Sequence, residues 1–102
     1  MNEPISSRET VAQGLSIAPQ VLVRYEQLGL VQCIREGDVL GYKPAQVRRI
    51  WSIVSYQRDL GVNLAGVEVI LQLRDRMSHL HHHFAGMADE LRKLLDDPDQ
   101  QS

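Results

Sequence analysis

At 102 residues, 43% of them hydrophobic, the chain can hold one modest core and has no room for a deep enclosed enzyme cleft. The single cysteine, Cys33, excludes an intramolecular disulfide, and no apolar run approaches the length of a signal peptide or a membrane span, which predicts cytoplasmic residence without a membrane partner. The net charge of −2 is unevenly spread: residues 1–62 carry seven basic and six acidic groups and residues 63–102 carry four and seven, so only the N-terminal part is expected to face phosphate.

Ser6 or Ser7 is placed to cap a first helix, with Glu9 or Thr10 in its opening turn and Val11 and Ala12 facing inward; Gly14 is expected to break it. After a tight turn through Leu15, Ser16 and Ile17, the stretch from Ala18 to Val31 reads as a second helix and its exit. Pro19 suits the first turn, where a missing N–H is harmless, and Gly29 suits the left-handed residue just past the end. Val21, Leu22, Tyr25 and Leu28 then share a buried face, leaving Gln20, Val23, Arg24 and Gln27 to point elsewhere. Two short helices joined so closely form a helix-turn-helix unit, whose second helix enters the major groove of DNA.

Leu30 to Ile34 reads as a short strand, Arg35-Glu36-Gly37-Asp38 as a turn and Val39 to Tyr42 as the returning strand, so that the pair makes a hairpin or wing. Pro44 opens a third helix whose apolar face carries Ala45, Val47, Ile50, Trp51, Val54 and Leu60, with Trp51 as core anchor and Arg48, Arg49 and Arg58 directed away. It stops around Leu60-Gly61. Asn63 caps the next helix, which runs from Leu64 to about Leu95, and the acidic, proline-broken end from Asp96 to Ser102 is expected to fray. The expected domains are therefore 1–62, 63–95 and a disordered tail, 96–102.

The last helix has the cleanest periodicity in the chain. Ile70, Leu73, Met77, Leu80, Phe84, Met87, Leu91 and Leu94 follow one another at alternating steps of three and four, which is a coiled-coil seam. A seam of this length needs a partner helix. A second copy supplies one, which predicts a homodimer, and folding back onto the N-terminal domain is the alternative. An antiparallel register pairs Arg76 with Glu90 across the two-fold axis and brings His83 near its symmetry mate. His79 and His83 have the i, i+4 spacing of a metal pair, but two ligands are too few, so the cluster His79, His81, His82 and His83 reads as a solvated, pH-sensitive surface with no metal. Cys33 reads as a buried thiol. There is no glycine-rich phosphate loop and no Cys–His or Ser–His pairing in a catalytic context, so neither an enzyme nor a cofactor is expected.

The order of helix, turn, A-P-x-x-L-x-R-Y-E-x-L-G-L-V, hairpin, Y-K-P-A-Q-V-R-R-I and D-L-G-V-N-L-A-G-V resembles the MerR superfamily of winged-helix transcriptional regulators. Asp59 to Val67 is similar to its heat-shock repressor branch, HspR, and to the related chaperone modulators of the CbpM family. The resemblance implies a mostly α protein: a winged helix-turn-helix domain with a short β-hairpin wing, a helical segment and a long C-terminal dimerisation helix. It also implies one of two functions. The first is a DNA-binding transcriptional regulator of chaperone or stress genes that holds double-stranded operator DNA; the second is a non-enzymatic modulator that binds a J-domain co-chaperone and no DNA.

Several positions depart from the family pattern. Ala18 replaces the usual serine cap, a loss of about 1 kcal/mol that Pro19 partly offsets. Val23 stands where an arginine is common and can offer only apolar contact, at best to a thymine methyl. Arg24 takes a position often held by a phosphate-facing tyrosine, and Gln20 can bond bidentately to adenine. In the wing, Tyr42 matches the terminal aromatic, whereas Leu40 and Gly41 replace basic residues. The DNA-contacting set implied is Gln20, Arg24, Arg35, Tyr42, Lys43, Arg48 and Arg49, making about three to five phosphate contacts per subunit.

Overall fold

Ser7 serves two elements at once. In the structure, a computed structural model that describes residues 3–96, it ends a two-residue strand, β1 (Ser6–Ser7), and caps the helix α1 (Arg8–Leu15) that follows. Its hydroxyl accepts the Thr10 backbone N–H at 3.1 Å, satisfying one of the orphan donors of the first turn. Gly14 does not break α1, contrary to expectation: the chain leaves the helix two residues later, where Ser16 adopts a left-handed conformation at φ 56°. The Ser16 N–H then donates to the Gln13 carbonyl and the Ile17 N–H to that of Ala12, the bond pair of a Schellman ending.

Ala18, with no side-chain cap bond, and Pro19 open α2 (Pro19–Gln27). A second Schellman ending closes it, with Gly29 at φ 75° as the left-handed residue and the Leu30 N–H donating to the Tyr25 carbonyl. This ending corrects two expectations. Leu28 is 43% exposed, because the chain has already left the helix at that point, and Leu30 and Val31 fill the core in its place. They do so in the turn, so the first wing strand is shorter than expected: β2 is Ile34–Glu36. It is joined through Gly37 and Asp38 to β3 (Val39–Tyr42), with Ile34 opposite Gly41 and Glu36 opposite Val39.

The sequence reading holds two wing strands; the sheet has three, in the order β1-β3-β2, all antiparallel. Ser6 pairs with Tyr42 and Ser7 with Gly41, so the start of α1 is tied to the base of the wing. Gly41 makes this possible, since a Cβ there would lie 2.5 Å from the Ser6 carbonyl oxygen.

Lys43 and Pro44 start α3 (Pro44–Asp59), whose buried residues are Ile50, Ile53 and Val54. Trp51 is not the core anchor: it is 61% exposed and lines a shallow groove of about 280 Å³ with Val11, Leu15 and Val47. The inward arc of α3 is centred on Ile50 and Ile53, and a residue directly after Ile50 is turned about 100° away from it. Ala45 and Leu60 are exposed as well. The role expected of Trp51 falls to Tyr42, which is fully buried and, like Leu22, Ile50 and Ile53, among the largest core side chains.

Asn63 caps α4 (Leu64–Asp96) as expected, its Oδ1 accepting the Gly66 N–H at 2.8 Å. The first compact unit of the chain ends at Glu68 and the second begins at Val69. Val67 and Leu71 are the buried residues of α4; from Gln72 to Asp96 every residue is exposed. All but the first residue of the expected tail lies outside the described residues. The fold is a mostly α winged helix-turn-helix with a small antiparallel sheet and a long C-terminal helix. Among the described residues no helix is long and apolar enough to cross a membrane.

Candidate nucleic-acid interface

One carboxylate organises the helix-turn-helix and the wing. Glu26, on α2, receives Nε of Arg8 at 3.1 Å and Nη2 at 2.8 Å, a two-pronged bond from the first residue of α1. The Tyr42 hydroxyl, from the end of β3, donates to the same carboxylate. The pair is half-sheltered, with side-chain exposures of 25% for Arg8 and 18% for Glu26. Burial pushes the Glu26 carboxyl up, but the hydrogen bonds from Arg8 and Tyr42 outweigh it and hold the group below its ordinary value. The Arg8 guanidinium is raised, first by its bond to Glu26, and the Tyr42 phenol is raised by burial and by the same carboxylate. Cys33 is half-buried with its sulfur 4.0 Å from Arg8 Nη2, and burial pushes its thiol up, with the Glu26 charge adding to the effect.

Other side chains hold the surrounding loops. Arg49 Nε donates to the Leu30 carbonyl at 2.5 Å, and Gln46 Oε1 accepts the Gln32 N–H at 2.9 Å, so α3 grips the segment that leaves α2. Arg58 Nη2 donates to the Leu15 carbonyl at 3.0 Å, covering the end of α1, and Tyr25 donates to Gln57 at 2.7 Å.

Of the residues expected to touch DNA, Gln20 and Arg24 are exposed one turn apart on α2, and Arg35, Lys43 and Arg48 are exposed on β2, at the cap of α3 and on its second turn. Two expected contacts sit elsewhere. Tyr42 is at 0% exposure with its hydroxyl committed to Glu26, so it supports the site from beneath and is closed to phosphate. Arg49 is half-buried and bonded to Leu30, where it acts as a clip between elements. The wing is apolar on its second strand, with Val39 50% and Leu40 42% exposed, and its one cation, Arg35, is outnumbered by the two carboxylates of Glu36 and Asp38.

Sequence reasoning missed Arg8 and Glu26. The signal for them was present: Glu26 follows the buried Tyr25 directly, and a carboxylate at the margin of a core calls for a cation. The distance from Arg8 to Glu26 along the chain concealed the partner.

The seam residues of α4 are open to solvent. Leu73 (53%), Met77 (69%), Phe84 (62%) and Leu91 (58%) have no cover in a single chain, and Leu80, Met87 and Leu94 are similarly exposed, with Ile70 half-buried.

Comparison with known proteins agrees with this architecture. Residues 6–89 match the model of the family described as MerR HTH family regulatory protein. A protein of Streptomyces coelicolor described as heat shock protein HspR is 29% identical over 89 residues, covering 86% of this chain. The chain spans 59% of that relative's length. No solved structure matches the chain. With the helix-turn-helix, the wing and most of the long helix inside the matched region, the chain belongs to the MerR helix-turn-helix family of regulatory proteins.

Proposed function

We propose that the chain is a DNA-binding transcription regulator that works as a cytoplasmic homodimer through α4 and controls chaperone or stress genes. The observation that carries this reading is the bracing of α2: its inner side is locked by Glu26 to α1 and the wing, while Gln20 and Arg24 stand exposed on its outer side. A reading helix needs that combination, because register on DNA depends on a rigid frame and contact depends on free polar ends. Arg35, Lys43 and Arg48 supply phosphate contacts around it. The target class rests on similarity to the protein described as heat shock protein HspR.

In a gel-shift assay the chain retards its own upstream region at moderate salt, and replacing Arg24 and Arg48 by alanine weakens the shift without unfolding the protein. Domain organisation follows the same reading: 1–62 binds DNA and 63–95 dimerises. Arg76→Cys with Glu90→Cys traps the antiparallel dimer on oxidation.

The exposed Val39 and Leu40 favour a second reading. An apolar wing suits a protein surface better than a phosphate backbone, and a modulator that binds a J-domain co-chaperone would use it. In that case the co-chaperone co-purifies and DNA stays unshifted even at low salt.

A further inference from the structure

The seam of α4 has an internal symmetry that fixes what lies at its centre. Laid antiparallel against a second copy, Ile70 meets Leu94, Leu73 meets Leu91, Met77 meets Met87 and Leu80 meets Phe84, so every seam residue finds a partner and none is left over. The two-fold axis then crosses the helices at the height of His82. Arg76 falls opposite Glu90 of the other copy on both sides of the axis, so charge complementarity favours the same register. Parallel packing offers no such exchange, since it sets each seam residue beside its own copy and turns Arg76 and Glu90 toward His81 and Leu95 of the partner helix.

This register brings histidines together from two chains. His83 flanks the seam on the Arg76–Glu90 side and meets the partner's His83 next to the axis. His79 precedes His83 by one helical turn on that same flank, and both are exposed. His81 lies on the other flank and meets the partner's His81 there, but the residues one turn away are Met77 and Ala85, so that pair has no third imidazole to complete a chelate. His82 is on the outer surface of the helix, away from the seam. Among the described residues of one chain no group of three metal-binding side chains exists, and the third ligand comes only with the second copy.

We propose that a divalent transition-metal ion such as Zn²⁺ binds across the two-fold axis of the dimer, held by His79 and His83 of one copy and the partner's His83. Neutral imidazoles at i and i+4 form the chelate, and a third imidazole with a water completes a tetrahedral set. Each His83 can serve one ion at a time, so the two arrangements related by the two-fold axis exclude each other and the stoichiometry is one ion per dimer. The ion ties the two helices together at their midpoint, where it adds to the affinity of the dimer and makes that affinity depend on available metal. The site rests on the dimer proposed above.

The test uses the full chain with Cys33→Ser, which removes the one thiol that competes for the metal. Sedimentation in EDTA establishes the oligomeric state first, and calorimetric titration with Zn²⁺ follows. The expected result is a dimer that takes up one Zn²⁺ per two chains and melts at a higher temperature once loaded. His83→Gln abolishes this step and His79→Gln weakens it about 10- to 100-fold, whereas His82→Gln leaves it intact. A dimer that binds no Zn²⁺, or whose uptake survives His79→Gln with His83→Gln, overturns the site and leaves the dimer standing. A chain that is monomeric with and without Zn²⁺ overturns both.

Discussion

Glu26 shows how one side chain is held by two opposed effects. Burial disfavours its charge, and the bonds from Arg8 and Tyr42 restore it with some excess. Because its folded pKa lies below the ordinary 4.5, the stabilisation is complete above that pH and is lost as the pH falls through the lowered value. Tyr42 acts in the opposite sense. Its folded pKa lies above the ordinary 10.0, so the protonated phenol stabilises the fold below that pH and the contribution is lost as the pH rises further. Cys33, whose folded pKa lies above its ordinary 9.0, acts in the same sense as Tyr42, so denaturant midpoints measured across pH should stay level between 4.5 and 9.0 and fall at both ends. Glu26→Ala leaves the buried Tyr42 hydroxyl without its acceptor and should cost about 2–3 kcal/mol. A double-mutant cycle with Tyr42→Phe should return a coupling well above zero. Gly41→Ala should cost about 1–3 kcal/mol, because the new methyl meets the Ser6 carbonyl and one of the two backbones must move.

At the scale of elements, the two helix endings invite opposite substitutions. Ser16 holds a left-handed conformation that L-residues with a Cβ adopt at a cost, so Ser16→Gly should stabilise the protein by about 0.5–1 kcal/mol, read as a shift in thermal midpoint. Ala18 stands at an N-cap with extended backbone and no side-chain bond, and Ala18→Ser should add about 1 kcal/mol by giving the first turn an acceptor. Within α3, Trp51→Ala should change stability by less than about 0.5 kcal/mol, whereas Ile50→Ala should cost about 2–5 kcal/mol.

These contrasts mark where the chain was legible. Pro19, Gly29 and Asn63 carry local signals, a fixed φ, a positive φ and a side-chain acceptor, and each marks its boundary without help from the rest of the fold. Gly14 misled because a glycine inside a helix and one just past its end look alike until the backbone bonds are known. Trp51 misled for a related reason: helical spacing tells which residues lie close on the surface of the cylinder, and only tertiary packing decides which arc turns inward. β1 was invisible, since two serines carry no strand signal and their pairing depends on Gly41, more than thirty residues away. For the proposed interface, exposure of Gln20, Arg24, Arg35, Lys43 and Arg48 followed from their polarity, while the withdrawal of Tyr42 and Arg49 followed from partners remote in the chain.

For the whole molecule, the distribution of charge sets the kind of binding to expect. The four exposed cations of the proposed interface, Arg24, Arg35, Lys43 and Arg48, give a log–log salt slope of about −3.6 for one subunit and about −7 for a dimer if each meets a phosphate. Each alanine replacement among them should reduce the slope by about one unit per subunit, measured by fluorescence anisotropy across a salt series. Binding that is indifferent to salt would count against the DNA reading. The carboxylate bridge from Arg8 through Glu26 to Tyr42 has a consequence at this scale too. Since it pins the reading helix and the wing to one point, the two prongs behave as a caliper with a preset gap. In the proposed DNA complex a duplex would have to fit that gap as it comes, so selection would fall on groove width and on the ease with which a sequence bends, and base identity would count mainly through those mechanical properties.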